Sequence, residues 1–135
     1  MILLSTFAWC AMILIAPSLA VSSSPLAEFV YRAFHLICHQ LPERSFHLFG
    51  EKLAVCSRCS SVYFAFLLGV VTYPFVRNLT STSTPTRNIL FLALLPMLID
   101  VALDFLDIHE SAFVTRTRTG VLFGIVVPFF VVPAA

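Results

Sequence analysis

From Ile2 to Val21 the chain carries no charged side chain at all. A run of that length matches the roughly 20 apolar residues with which an α-helix crosses the hydrocarbon of a bilayer. In water such a helix needs burial on every side, and a chain of 135 residues has too little interior to provide it. Composition agrees: 59% of the residues are hydrophobic and only 11% charged, against about 25% charged in ordinary soluble domains. The solvent for most of this surface is lipid, so the lipid bilayer is the first partner the sequence implies.

Three further stretches, residues 59–76, 88–107 and 119–135, repeat the signal. The fold class is therefore an all-α integral membrane bundle of about four transmembrane helices, read as one domain over residues 1–135. Pro17, Pro74, Pro96, Pro128 and Pro133 lie in or near these stretches, where neighbouring helices can satisfy the freed carbonyls. Ser18-Leu19-Ala20 has the small-x-small look of a signal cleavage site. Yet the run is longer than a signal peptide's apolar core of about 7–15 residues, and no basic side chain precedes it. It is expected to stay as an anchor.

Charge sets the expected orientation. With four spans, the first and third loops share one side and hold Arg32, Arg44, Lys52, Arg58, Arg116 and Arg118, whereas the second loop holds Arg77 and Arg87. The positive-inside rule then puts the first and third loops in the cytoplasm and both termini outside. Formal net charge is +1 with no basic run or stripe, which excludes nucleic acid as a partner. Four cysteines at uneven spacing do not make a secreted disulfide framework. A homo-oligomer and an unidentified protein partner both stay open.

The long first loop, residues 22–58, has its own pattern. Ser24 and Pro25 suit the cap and first turn of a helix. Leu26, Phe29, Val30, Ala33 and Ile37 then share one face, with Glu28, Arg32, His35 and His39 opposite, until Pro42 stops the pattern. The expectation is an amphipathic helix of about four turns, on the membrane surface or packed on the bundle. Residues 42–46 and Gly50 read as turns.

The chemistry gathers at the end of this loop. Cys38-His39-Gln40 closes the amphipathic helix, and Cys56-Ser57-Arg58-Cys59 opens the second span. A CxxC pair can direct both thiolates at one tetrahedral ion, and soft thiolates with an imidazole suit zinc. The expected ligands are Cys38, His39, Cys56 and Cys59. On an unbroken helix His39 diverges from Cys38 by about 100°, so His35 is the reserve fourth ligand; His47 is weaker. Gln40 and Arg44 are expected to orient the ligands. The plain alternative is that the thiols are small buried hydrophobes, which is the expectation for Cys10. A redox reading competes: Cys56 and Cys59 at a helix start, with Arg58 between them, suit a membrane thiol-disulfide oxidoreductase. A metal-dependent membrane hydrolase is the third reading, and it needs an open metal position.

Asp100, Asp104 and Asp107 are spaced to share one face of the third span. Intramembrane carboxylates usually face the bundle interior or a polar path. They are expected to serve a cation or proton path, to support the metal, or to pair with Arg58, Arg116 or Arg118. His109 and Glu110 follow in the third loop, and Thr119-Gly120 with Gly124 gives the fourth span a close-packing face.

Taken together, Cys38-His39-Gln40-Leu41-Pro42-Glu43-Arg44-Ser45-Phe46, Gly50, Cys56-Ser57-Arg58-Cys59 and Tyr63 resemble a family of small, mostly bacterial predicted membrane proteins of unknown function, marked by CHQxPxRSF and CxRC segments. The family also tends to carry a later aspartate, matching Asp100, and an Arg…Thr-Gly segment, matching Arg116 or Arg118 with Thr119 and Gly120. The resemblance spans about residues 34–124 and implies a bacterial inner (plasma) membrane. It brings no established activity. One departure stands out: the family follows CxRC with Thr-Gly-x-Tyr-x-Gly, where this chain has Ser60, Ser61 and, last, Ala65.

Overall fold

The structure is a computed structural model that describes residues 1–78, 84–106, 108 and 112–134. Asp107, His109 and Glu110 lie outside the described residues, as does most of the Ser/Thr-rich connector.

Four helices have the length and apolar character to cross a membrane. They are α1 (Ile2–Val21), α3 (Ser57–Val76), α4 (Arg87–Phe105) and a fourth span made of α5 (Phe113–Val126) with α6 (Pro128–Val131). Pro17, Pro74 and Pro96 lie inside α1, α3 and α4. The fourth span breaks between Val126 and Pro128, because proline has no N–H to continue the ladder.

That span begins six residues earlier than the sequence pattern places it, at Phe113 rather than Thr119. Arg116 and Arg118 therefore lie within a helix and not in a loop. Hydropathy puts arginine outside a span because an unpaired charge in hydrocarbon is costly; Arg116 avoids that cost by bonding Asp104. Likewise α3 starts at Ser57, so Arg58 belongs to its first turn.

The closest packing joins α3 to α5. A Cβ on Gly120 would lie 2.7 Å from the Arg58 carbonyl oxygen and 3.0 Å from Ser61 Cβ, and one on Gly124 would lie 2.9 Å from Ala65 Cβ. Small residues facing small residues let two backbones approach this closely. Ser61 is helical, and its hydroxyl donates to the Ser57 carbonyl at 2.7 Å. What its position requires is a small side chain opposite Gly120, and serine meets that.

The amphipathic helix α2 (Pro25–His35) starts as expected, with Ser24 Oγ accepting from the Leu26 N–H at 3.3 Å. It ends at His35, earlier than the four turns drawn to Pro42, and it packs through Ala27 and Phe34 rather than through the apolar face drawn from the sequence, of which Val30 alone is partly buried. Phe34 is buried against Ile13 and Ala16 of α1, while Leu26 and Phe29 stay exposed for lipid. Trp9 of α1 meets Phe34 edge-on at 4.9 Å and Tyr63 of α3 at 5.8 Å.

Where the sequence reads turns, the chain forms a β-hairpin. Strand β1 (Ser45–Leu48) pairs antiparallel with β2 (Glu51–Cys56), Leu48 facing Glu51. Phe49 and Gly50 both have positive φ, 56° and 84°, the geometry of a two-residue type I′ turn whose twist matches the strands. Leu53, Ala54 and Val55 are all buried. The strand lacks the alternation of a one-sided strand because α1 and α2 both pack on it.

Candidate metal centre and ion-pair network

Although α2 stops at His35, the Cys38 N–H still bonds the Phe34 carbonyl at 3.0 Å; beyond it the chain leaves helical geometry, and side-chain hydrogen bonds fix residues 39–41. Gln40 is the pin. It is buried with a left-handed φ of 52°, a conformation an ordinary side chain adopts only when its surroundings impose it. Its amide Nε2 donates to the carbonyls of Tyr31 and Ala54, each at 2.7 Å. Its own carbonyl accepts from Lys52 Nζ at 2.8 Å. The Tyr31 hydroxyl donates to the Lys52 carbonyl. The turn is thereby tied to α2 and to β2.

This turn delivers Cys38 to the end of β2. The sulfurs of Cys38, Cys56 and Cys59 lie within 4.8 Å of one another. Cys56 is the last residue of β2 and Cys59 lies in the first turn of α3, so two distant stretches of chain supply the group. The Cys38 sulfur accepts from the Cys56 N–H at 3.1 Å. Hydrogen bonds from the Cys56 and Cys59 side chains hold the Cys38 thiol well below the usual thiol range, with backbone donors at Cys56 and Gln40 adding to this and burial opposing it. A thiolate fixed by backbone N–H groups suits a metal ligand, since only the deprotonated form binds. Two sulfurs on one tetrahedral zinc are about 3.8 Å apart, from Zn–S bonds near 2.3 Å. The donor set therefore fits a soft, thiolate-preferring ion with modest side-chain adjustment.

The histidines stand differently. Among the described residues the group that closes to 4.8 Å contains the three cysteines and no histidine. His39 is exposed and lines the cavity next to the sulfurs; His35 ends α2 and His47 lies on β1, both exposed. Cys10 is buried in α1, its thiol 3.5 Å from the Tyr63 carbonyl, apart from the cluster.

Beside the sulfurs lies a cavity of about 490 Å3, walled also by Gln40, Arg44, Arg58, Asp104 and Arg116. Its far wall is an ion-pair network. Asp100 accepts from Arg58 Nη2. Asp104 accepts from Arg116 Nη2 at 2.7 Å and from Arg44 Nη1 at 3.0 Å. Asp100 and Asp104, one helical turn apart on α4, thus bind arginines from α3, from α5 and from the turn before β1. Arg118 lies on the exposed side of α5.

Four helices apolar and long enough to cross a bilayer, with three thiols and an ion-pair network gathered at one end, define an integral membrane protein. The chain belongs to the family described as Predicted membrane protein (DUF2085), whose model matches residues 38–130, from Cys38 onward. It is similar to an uncharacterised protein of Methanocaldococcus jannaschii, 39% identical over 104 residues that cover 77% of this chain and 67% of the relative. It is also similar to an uncharacterised protein of Methanothermobacter thermautotrophicus, 36% identical over 94 residues, 68% of this chain and 81% of that one. Both relatives are archaeal, where the resemblance pointed to a mostly bacterial family. No solved structure gives a significant match.

Proposed function

We propose that this protein is a membrane-embedded binding, transport or scaffold module that holds one zinc-type ion on Cys38, Cys56 and Cys59, with His39 as fourth ligand. The observation that carries the reading is the convergence of three sulfurs to within 4.8 Å from a turn, a strand end and a helix start. His39 adjoins Cys38 and lines the cavity beside the sulfurs, which supports it as the ligand that closes the shell. A closed shell makes the metal structural: it ties the first loop to the second span. Gln40 fixes the turn that carries Cys38, and Arg44 braces the network beside it. Arg32, Arg44 and Lys52 on the first loop, with Arg58, Arg116 and Arg118 near the starts of α3 and α5, outnumber Arg77 and Arg87 at the other end of the bundle, which supports a cytoplasmic-face site with both termini outside.

Two features favour this over the alternatives. An oxidoreductase using Cys56 and Cys59 draws on Arg58 to activate a thiol, and here the Arg58 guanidinium is engaged by Asp100. A hydrolase needs a free carboxylate base, and Asp100 and Asp104 are both occupied by arginines.

The test is elemental analysis of the detergent-purified chain. Wild type and Cys10→Ser are expected to carry about one zinc per chain, and Cys38→Ser, Cys56→Ser and Cys59→Ser to lose most of it, as expected for a site closed by four ligands. Equal metal content in wild type and Cys56→Ser ends the metal reading. A Cys56–Cys59 disulfide that forms and breaks in the purified protein, with no metal bound, favours the redox reading instead.

A further inference from the structure

The cavity beside the sulfurs has a wall that the metal reading leaves without a ligand of its own. Arg44, Arg58 and Arg116 reach it from three different elements. One carboxylate, Asp104, holds two of them at once, Arg116 on Oδ1 and Arg44 on Oδ2. A carboxylate shared in this way holds both guanidiniums at the cavity before any ligand arrives, which lowers the entropy lost on binding. Arg44 uses Nη1 for that bond and keeps 40% of its side chain exposed, so more of its five-donor fork is presented at the cavity.

The edge of the same cavity is apolar. Ile37, Leu41, Val101 and Phe105 line it, and all four are exposed. Phe105 is the last residue of α4, so this edge lies where the third span leaves the hydrocarbon. Arginine forks inside and an apolar edge at membrane depth match an amphiphile with an anionic head. Guanidinium forks fit phosphate oxygens in bidentate fashion, and basic pockets between membrane helices take phospholipid headgroups.

We propose that this cavity binds the phosphate group of an anionic amphiphile, with phosphate oxygens on the Arg44 guanidinium and the apolar portion lying along Val101 and Phe105. The inference shares its cavity with the proposed metal and does not depend on it.

The full chain in detergent micelles is titrated calorimetrically with dihexanoyl phosphatidic acid, dihexanoyl phosphatidylcholine and inorganic phosphate, and metal content is measured on the same samples. Phosphatidic acid is expected to bind at least about tenfold more tightly than phosphatidylcholine, and Arg44→Gln to weaken it about tenfold, the scale of a hydrogen bond to a charged group. Arg44→Lys keeps the charge and loses the fork, so it falls between the two, and it replaces Arg44→Gln if the latter aggregates. Inorganic phosphate binding as tightly as phosphatidic acid keeps the phosphate site and assigns it to a soluble ligand. Equal affinity for all three probes, or wild-type affinity in both Arg44 variants, overturns the proposal. A chain with no metal that still binds phosphatidic acid refutes the metal reading alone; one with metal that ignores every phosphate probe refutes this one alone.

Discussion

The α3–α5 seam and the seat of α4 solve one problem in opposite ways. Lipid gives two apolar helices no hydrophobic reason to meet, so association needs either close backbone contact or polar bonds. The seam uses contact: Gly120 and Gly124 lie against Arg58, Ser61 and Ala65 with no room for a methyl group. Helix α4 uses bonds. Its buried residues are Ala93 and Asp100, while Phe91, Leu92, Leu95 and Leu98 remain exposed to lipid. Asp100 and Asp104 tie it to α3, to α5 and to Arg44. The seam needs only small residues. The seat of α4 needs the right charge at the right depth, which places Asp104 on the cavity wall.

Breaking that seat is expected to have the largest effect. Asp100→Ala removes one half of a pair in which Asp100 is 7% and Arg58 15% exposed, and breaking a buried pair costs about 3 kcal/mol. Reversible unfolding in mixed micelles, followed by circular dichroism, measures it. Next comes the seam: Gly124→Val drives a branched side chain into Ala65 and the α3 backbone, for a loss of about 2 kcal/mol by overpacking in the same assay. Smaller still is the double variant Asp100→Leu with Arg58→Leu. Replacing a buried pair by apolar groups is often neutral, so its stability should return to within about 1 kcal/mol of wild type. Last, Leu92→Ala on the lipid face of α4 should change stability by less than about 0.5 kcal/mol. If Leu92→Ala costs more than Asp100→Ala, the contrast between seam and seat is wrong.

The spans were legible because hydropathy and length report directly on lipid solvation, and Asp100 and Asp104 because a one-turn spacing puts two carboxylates on one face. Cys38, Cys56 and Cys59 could be grouped from residue type alone. The hairpin was not legible. Its turn is Phe49-Gly50, without the Asn or Asp that marks most two-residue hairpins, and Leu53-Ala54-Val55 is buried on both faces and lacks period-two alternation. The start of α5 was missed for a related reason: Arg116 resembles a loop residue until Asp104 is placed opposite it. His39 followed from adjacency to Cys38, and adjacency cannot say where a ring points once the helix has ended at His35.

Strand β2 passes into α3 with no residue between them, Cys56 closing one and Ser57 opening the other. The two sulfurs of the CxxC segment therefore ride on different elements, one at the end of a ribbon and one on a rod long enough to cross a membrane. Any change in the angle between ribbon and rod alters the spacing of those sulfurs. The junction holds the sulfur spacing only as firmly as the packing of the ribbon on α1 and α2 holds that angle.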